Sequence, residues 1–186
     1  MIAEIPMKEK STTYVALLRG INSGKNPATK MEVLKKTFED LGFKNVKTVI
    51  ASGNVIFETS ATDKAKIAQK IEKGLTPVIG FRSDTIVRTI DEIQALVKKN
   101  PFKKIKVTPE TRLYVTFIDG EGKTPLKFPV EGKGYTLLGI FNGTVCIVIY
   151  LAETKTPDVM KILDKNWSPN TTRNWNTLIR ILKAAG

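Results

Sequence analysis

The sequence predicts an α+β protein made of two halves, the first of them ferredoxin-like, and two observations carry that prediction. Over residues 12–100, apolar β-type runs and amphipathic helical patterns follow one another as strand, helix, strand, strand, helix, strand. That is the βαββαβ order in which helices pack on an antiparallel sheet. Past Pro101 a second series of strands and helices begins, giving a second α+β half over 101–186 that shares the first sheet or packs against it. With 186 residues and 41% hydrophobic content, the chain can bury a real core as one larger domain or two small ones.

Each element has its own signal. "TTYVALLR" (12–19) is β-branched and apolar, as a buried strand requires. "KMEVLKKTFEDLGF" places Met31, Leu34, Phe38 and Leu41 at helical spacing and stops at Gly42, a left-handed cap. "VKTVI" and "NVIFE" flank "ASGN", a hairpin whose tight turn takes the positive φ of Gly53. "DKAKIAQKIEKGL" carries Ile67, Ile71 and Leu75 on one face, with Asp63 as its cap. "FRSDTIVRTI" reads as a strand and "IDEIQALVKKN" as a helix ended by Asn100-Pro101. "RLYVTFID" opens the second half, "YTLLGIFNGTVCIVIYL" is a hairpin turning at Asn142-Gly143, and "TPDVMKILDKNW" and "TTRNWNTLIRILKAA" close the chain as helices. "GEGKTPLKFPVEGKG" reads as an exposed hairpin, residues 1–11 as a frayed tail, and no strict internal repeat stands out.

Composition excludes several chemistries. There is no histidine, which removes Ser-His and Cys-His nucleophile pairs, imidazole metal sites and the commonest general base. The single Cys146 forbids an intramolecular disulfide and lies in the apolar run "TVCIVIYL", where a thiol acts as a small hydrophobe. A reducing cytoplasm suits that usage. No run of about 18 apolar residues suggests a membrane span, and the carboxylates are too scattered for a metal or an acid/base dyad, so no cofactor is expected. The 30 basic against 18 acidic residues give a net charge of +12, which favours a phosphate-bearing small molecule or nucleic acid as partner, although lysines spread this evenly also make an ordinary solvated surface.

Three polar stretches are candidates for a site. "LLRGINSGKNP" (17–27) resembles a Walker A loop, yet its spacing between glycines is one residue short and Asn26 stands where a hydroxyl is needed. What survives is a glycine loop at Gly20 and Gly24 with donors on Arg19, Asn22 and Lys25, able to hold an anion or simply to join strand to helix with Arg19 paired to a carboxylate. "ASGN" offers Ser52, Gly53 and Asn54, residues that turn chemistry alone would also select. "SPNTTRNWNT" puts Thr171 or Thr172 at a helix N-cap, Arg173 in the first turn against the helix dipole, and Asn174 beside it. An arginine so placed calls for an anionic partner, either a core-edge carboxylate or a ligand phosphate; Trp175 beside it belongs to the core or stacks on a base.

Taken together, "YVALLRGIN.G", "M.VLKKTFEDLGF.NVKT.I.SGNVIF" and "TTRNWNT" resemble the bacterial family called domain of unknown function 1697, from about Tyr14 to Lys183. The resemblance implies a small cytoplasmic protein of two ferredoxin-like halves with no established activity. Its pattern falls on Arg19, Gly20, Asn22, Gly24, Met31, Ser52, Gly53, Asn54, Thr172, Arg173, Asn174, Trp175 and Thr177, and departs at Lys25, commonly glycine, and Ala51, commonly glutamine. The reading that follows is a binding module for a phosphate-bearing ligand, nucleotide or nucleic acid, in which the three stretches meet at one concavity. A histidine-independent enzyme and a protein-interaction module are the alternatives.

Overall fold

A computed structural model describes residues 10–120, 122–123, 125–153 and 158–186. The predicted tail lies almost wholly outside the described residues, as do residues 121 and 124 of the glycine-rich stretch. The first half runs β1 (Thr12–Leu18), α1 (Met31–Asp40), β2 (Lys44–Val49), β3 (Asn54–Thr59), α2 (Lys64–Ile79), β4 (Thr85–Thr89) and α3 (Ile90–Lys99). The second runs β5 (Thr111–Ile118), β6 (Val130–Gly132), β7 (Tyr135–Ile140), β8 (Thr144–Tyr150), α4 (Val159–Asn166), β9 (Asn170–Asn174) and α5 (Trp175–Ala185).

Two antiparallel sheets result, ordered β2-β3-β1-β4 and β6-β7-β8-β5-β9. The first is the ferredoxin-like order. Without the short edge strand β6, the second repeats it, with β5, β7, β8 and β9 in the places of β1, β2, β3 and β4. A helix between β5 and β7, the counterpart of α1, is absent among the described residues.

The alternation of β1 shows how the layers are held. Tyr14, Ala16 and Leu18 face α1 and α2, where Leu34, Phe38, Ile67, Ile71 and Leu75 cover them. Val15 and Leu17 face the other way, into a shared inner core with Val115, Phe117, Cys146 and Val148 of the second sheet and with Ile93, Leu96, Leu178 and Ile181 of α3 and α5. Helices α3 and α5 thus belong to a core that both sheets contribute to. The outer face of the second sheet is closed by Val159 and Leu163 of α4 together with Trp167. Burial pushes the Cys146 thiol up to about 12, so it should resist alkylation in the native protein and react on unfolding. Rapid labelling without denaturant would contradict that placement.

The structure refines the sequence reading at several places. Residues 170–174 form strand β9 paired with β5, and the cap of α5 is Asn174, whose side chain accepts from the N–H of Asn176. Neither Thr171 nor Thr172 caps a helix. Residues 130–132 form β6, the first strand of a hairpin with β7, so the stretch read as an exposed hairpin adds a strand to the sheet. Helix α2 runs through Pro77 to Ile79, because Ile79 is buried and Gly80 supplies the left-handed cap. An internal repeat too diverged to be strict in sequence also emerges: Tyr14-Val15, Leu18, Arg19 and Gly20 correspond to Tyr114-Val115, Ile118, Asp119 and Gly120, and Tyr14 stands opposite Thr89 as Tyr114 stands opposite Asn174. Few identities survive in it, and unequal connections break its period.

Candidate functional site

The carboxyl end of β1, the β2–β3 turn and the β9–α5 junction meet around one cleft of about 430 Å³. Arg19, Gly20, Ser52, Thr172, Arg173 and Asn174, all singled out from the sequence, line it. The other candidates stand behind or away from it. Asn22, at φ +51°, donates to the carbonyls of Thr29 and Ala51 and accepts from the Thr29 N–H, bolting the loop to the hairpin turn. Gly24 and Lys25 are exposed and do not line the cleft. The loop therefore meets the cleft only through its first residues.

Gly53 is required twice over. Its φ is +76°, and a Cβ there would lie 2.8 Å from Ile21 and 3.0 Å from Leu18. This close approach brings the turn against the end of β1 and leaves Asn54 fully buried behind it, donating to Val49 O and Ser52 Oγ.

Arg173 is the centre of the arrangement. It is 8% exposed, and its five N–H groups go to five neutral acceptors: Asn54 Oδ1 (2.6 Å), Thr171 Oγ1 (2.7 Å), Leu18 O (2.8 Å), Thr172 O (2.9 Å) and Gly53 O (3.3 Å). No carboxylate pairs with it among the described residues. Burial alone pulls its pKa down to about 10. The expectation of an anion within hydrogen-bond reach is thus corrected: Arg173 is on a strand, clear of any first-turn penalty, and polar neutral groups surround its charge.

Arg19, by contrast, has a carboxylate partner. Its Nη2 donates to Asp164 Oδ1 at 3.0 Å and its Nη1 to Asn170 O at 3.2 Å, while Asn170 donates to the same Asp164 oxygen at 2.8 Å. Two of its N–H groups are used this way, and its side chain is 39% exposed. Asp164 and Met160 of α4 line the cleft and were not foreseen, since only tertiary packing brings α4 to the end of β1. Thr171 is legible in the sequence as a polar residue, but its place on a strand is not. Thr177, buried beside the cleft, uses its hydroxyl in no hydrogen bond among the described residues.

The internal repeat supplies a control within the same molecule. Arg88 of β4 occupies the place of Arg173, donating to Val87 O (3.0 Å), to Ile118 O (2.6 Å) at the end of β5 and to Gly143 O (3.4 Å) in the β7–β8 turn. Each half thus sends one arginine to the first strand and hairpin glycine of the other. The charges around the two differ. Burial lowers the pKa of Arg88, but Glu92 and Asp119 act against that; at the matching positions near Arg173 stand Thr177 and Arg19. Burial alone would raise the Glu92 carboxyl, yet the hydrogen bonds from Lys64 and from Thr89 and the charges of Lys64 and Arg88 bring it below the usual range.

A family model described as "Protein of unknown function (DUF1697)" matches residues 11–129. The chain belongs to this family. The match takes in the Arg19 loop and the Ser52–Asn54 turn and stops short of β9 and α5, so the DUF1697 match contains one side of the cleft and not the other. No curated protein matches the chain. Among solved structures, a conserved bacterial protein from Streptococcus pneumoniae is similar, with a TM-score of 0.66 and 20% identity over 95% of this chain and 100% of that one. At that identity the likeness concerns the fold.

Proposed function

We propose that this DUF1697 protein is a binding module whose cleft takes a phosphate-bearing anion. One observation carries the reading: the buried guanidinium of Arg173 meets only neutral acceptors, with no carboxylate paired to it among the described residues, whereas its counterpart Arg88 feels the charges of Glu92 and Asp119. An uncompensated charge at the base of a polar cleft raises the potential felt by an anion entering it. Arg173 acts from behind, since its N–H groups are engaged. Direct contact falls to the remaining N–H groups of Arg19, the Asn174 amide and the hydroxyls of Thr171 and Thr177. Thr171 Oγ1 accepts from Arg173, which polarises its own O–H as a donor. The start of α5 adds its dipole at the same wall. A reducing compartment suits the one buried thiol, and we place the protein in the cytoplasm.

Inorganic phosphate is the direct probe. At about 100 times its dissociation constant it should stabilise the fold by about 2.7 kcal/mol, or about 5–10 °C in melting temperature, beyond a chloride control of equal ionic strength. A melting temperature that follows ionic strength alone would end the reading.

A further inference from the structure

Resting on that reading, we infer that the ligand is a single-stranded nucleic acid, which passes from the cleft over Asn174 into a second groove and onto an arc of lysines. Asn174 lines both concavities. The second groove is bounded by Val107, Thr108, Arg112, Leu113, Trp175 and Asn176 and has no carboxylate in its wall. Its aromatic wall is Trp175, half-buried and held edge-on by Phe102 at 5.0 Å between ring centroids, so the ring is fixed before any base arrives. A fixed indole beside an arginine is a stacking platform that any base can use.

The lysines lead into that groove along the chain itself. Lys98, Lys99, Lys103, Lys104 and Lys106 are all exposed, and none forms an ion pair among the described residues. No acidic residue stands between Glu92 and Glu110, and Val107 and Thr108, which follow directly, form part of the groove wall. Lys36 and Lys161, by contrast, sit beside Asp40 and Asp158. An arginine cleft, an aromatic groove and a stretch of unpaired cations, joined in that order, match the repeating phosphate and base of one strand better than a single small phosphate. A duplex keeps its bases stacked inside and offers none to Trp175.

Titration with an oligothymidylate of about ten nucleotides, followed by tryptophan fluorescence, tests this. Trp167 is 3% exposed, so quenching reports on Trp175. The expected result is saturable quenching whose affinity falls linearly with salt on logarithmic axes. Lys103→Glu with Lys104→Glu should weaken binding at least tenfold and flatten that slope, and Trp175→Phe should weaken it about fivefold or more. The lysine variants change exposed positions, so they stay informative if Trp175→Phe loosens its contact with Phe102. Phosphate stabilisation with no oligothymidylate quenching would overturn the nucleic-acid inference and leave the anion cleft standing. Equal binding of duplex without quenching, or binding indifferent to the lysine changes, would overturn it too.

Discussion

Arg173→Ala should lower the melting temperature by about 6–12 °C in the absence of any ligand, the largest stability loss expected from a single side chain at this site. The guanidinium joins β9 of the second half to Leu18, Gly53 and Asn54 of the first, and removing it strands buried acceptors. Each such acceptor costs about 1–3 kcal/mol. The relief of no longer burying a charge offsets part of this, leaving about 3 kcal/mol, at about 2–4 °C per kcal/mol for a chain of this size. Arg173→Lys separates the two roles of the residue. An ammonium keeps the charge but has three donors where the guanidinium has five. It should therefore lose much of the stability while retaining part of the phosphate effect. A melting temperature for Arg173→Ala within about 2 °C of the parent would show that the arginine does not hold the halves together.

Thr177→Glu should strongly weaken anion binding while leaving the fold intact, because the other half of the molecule already carries the same arrangement. Glu92 occupies the matching position on α3, where it completes a capping box with Thr89 near Arg88. A glutamate at the third position of α5 has the cleft to enter and the helix dipole in its favour, so stability should hold or rise by up to about 1 kcal/mol. It would then stand as an internal anion beside Arg173. Phosphate affinity should fall about 10–100-fold, the loss of one charge-assisted contact of about 1.5–3 kcal/mol. Isothermal titration of parent and variant measures it directly. Undiminished phosphate binding in a well-folded Thr177→Glu protein would place the anion elsewhere.

Much of the architecture was legible because it follows from local rules. Tyr14 to Leu18 could only be a buried strand; Gly53 could only be a turn once two apolar runs flanked it; Leu34 and Phe38, like Ile67 and Ile71, mark helical faces that proved to cover the same side of one sheet. Strand β9 was not legible, and its composition explains why. Its buried positions are Asn170, Thr171 and Arg173, satisfied by hydrogen bonds to other elements, so the strand has no apolar alternation to read. The repeat was hidden for a related reason. Core positions accept any apolar residue of fitting size, so Leu17 matches Phe117 without identity, and the segment after β5 has no counterpart of α1 to keep the period.

For the cleft the division is sharper. The sequence by itself determined the α+β class, the ferredoxin-like first half and the polar stretches around Arg19, Ser52 and Arg173, because period, capping and turn chemistry act between residues a few positions apart. Only the tertiary structure decided that Arg173 has neutral partners, that Arg19 has Asp164, and that Asn22 serves the loop while Lys25 lies outside the cleft. A side chain's electrostatic state depends on what is within a few ångströms of it, and Leu18, Asn54 and Asp164 reach these arginines only when the two sheets close on their shared core.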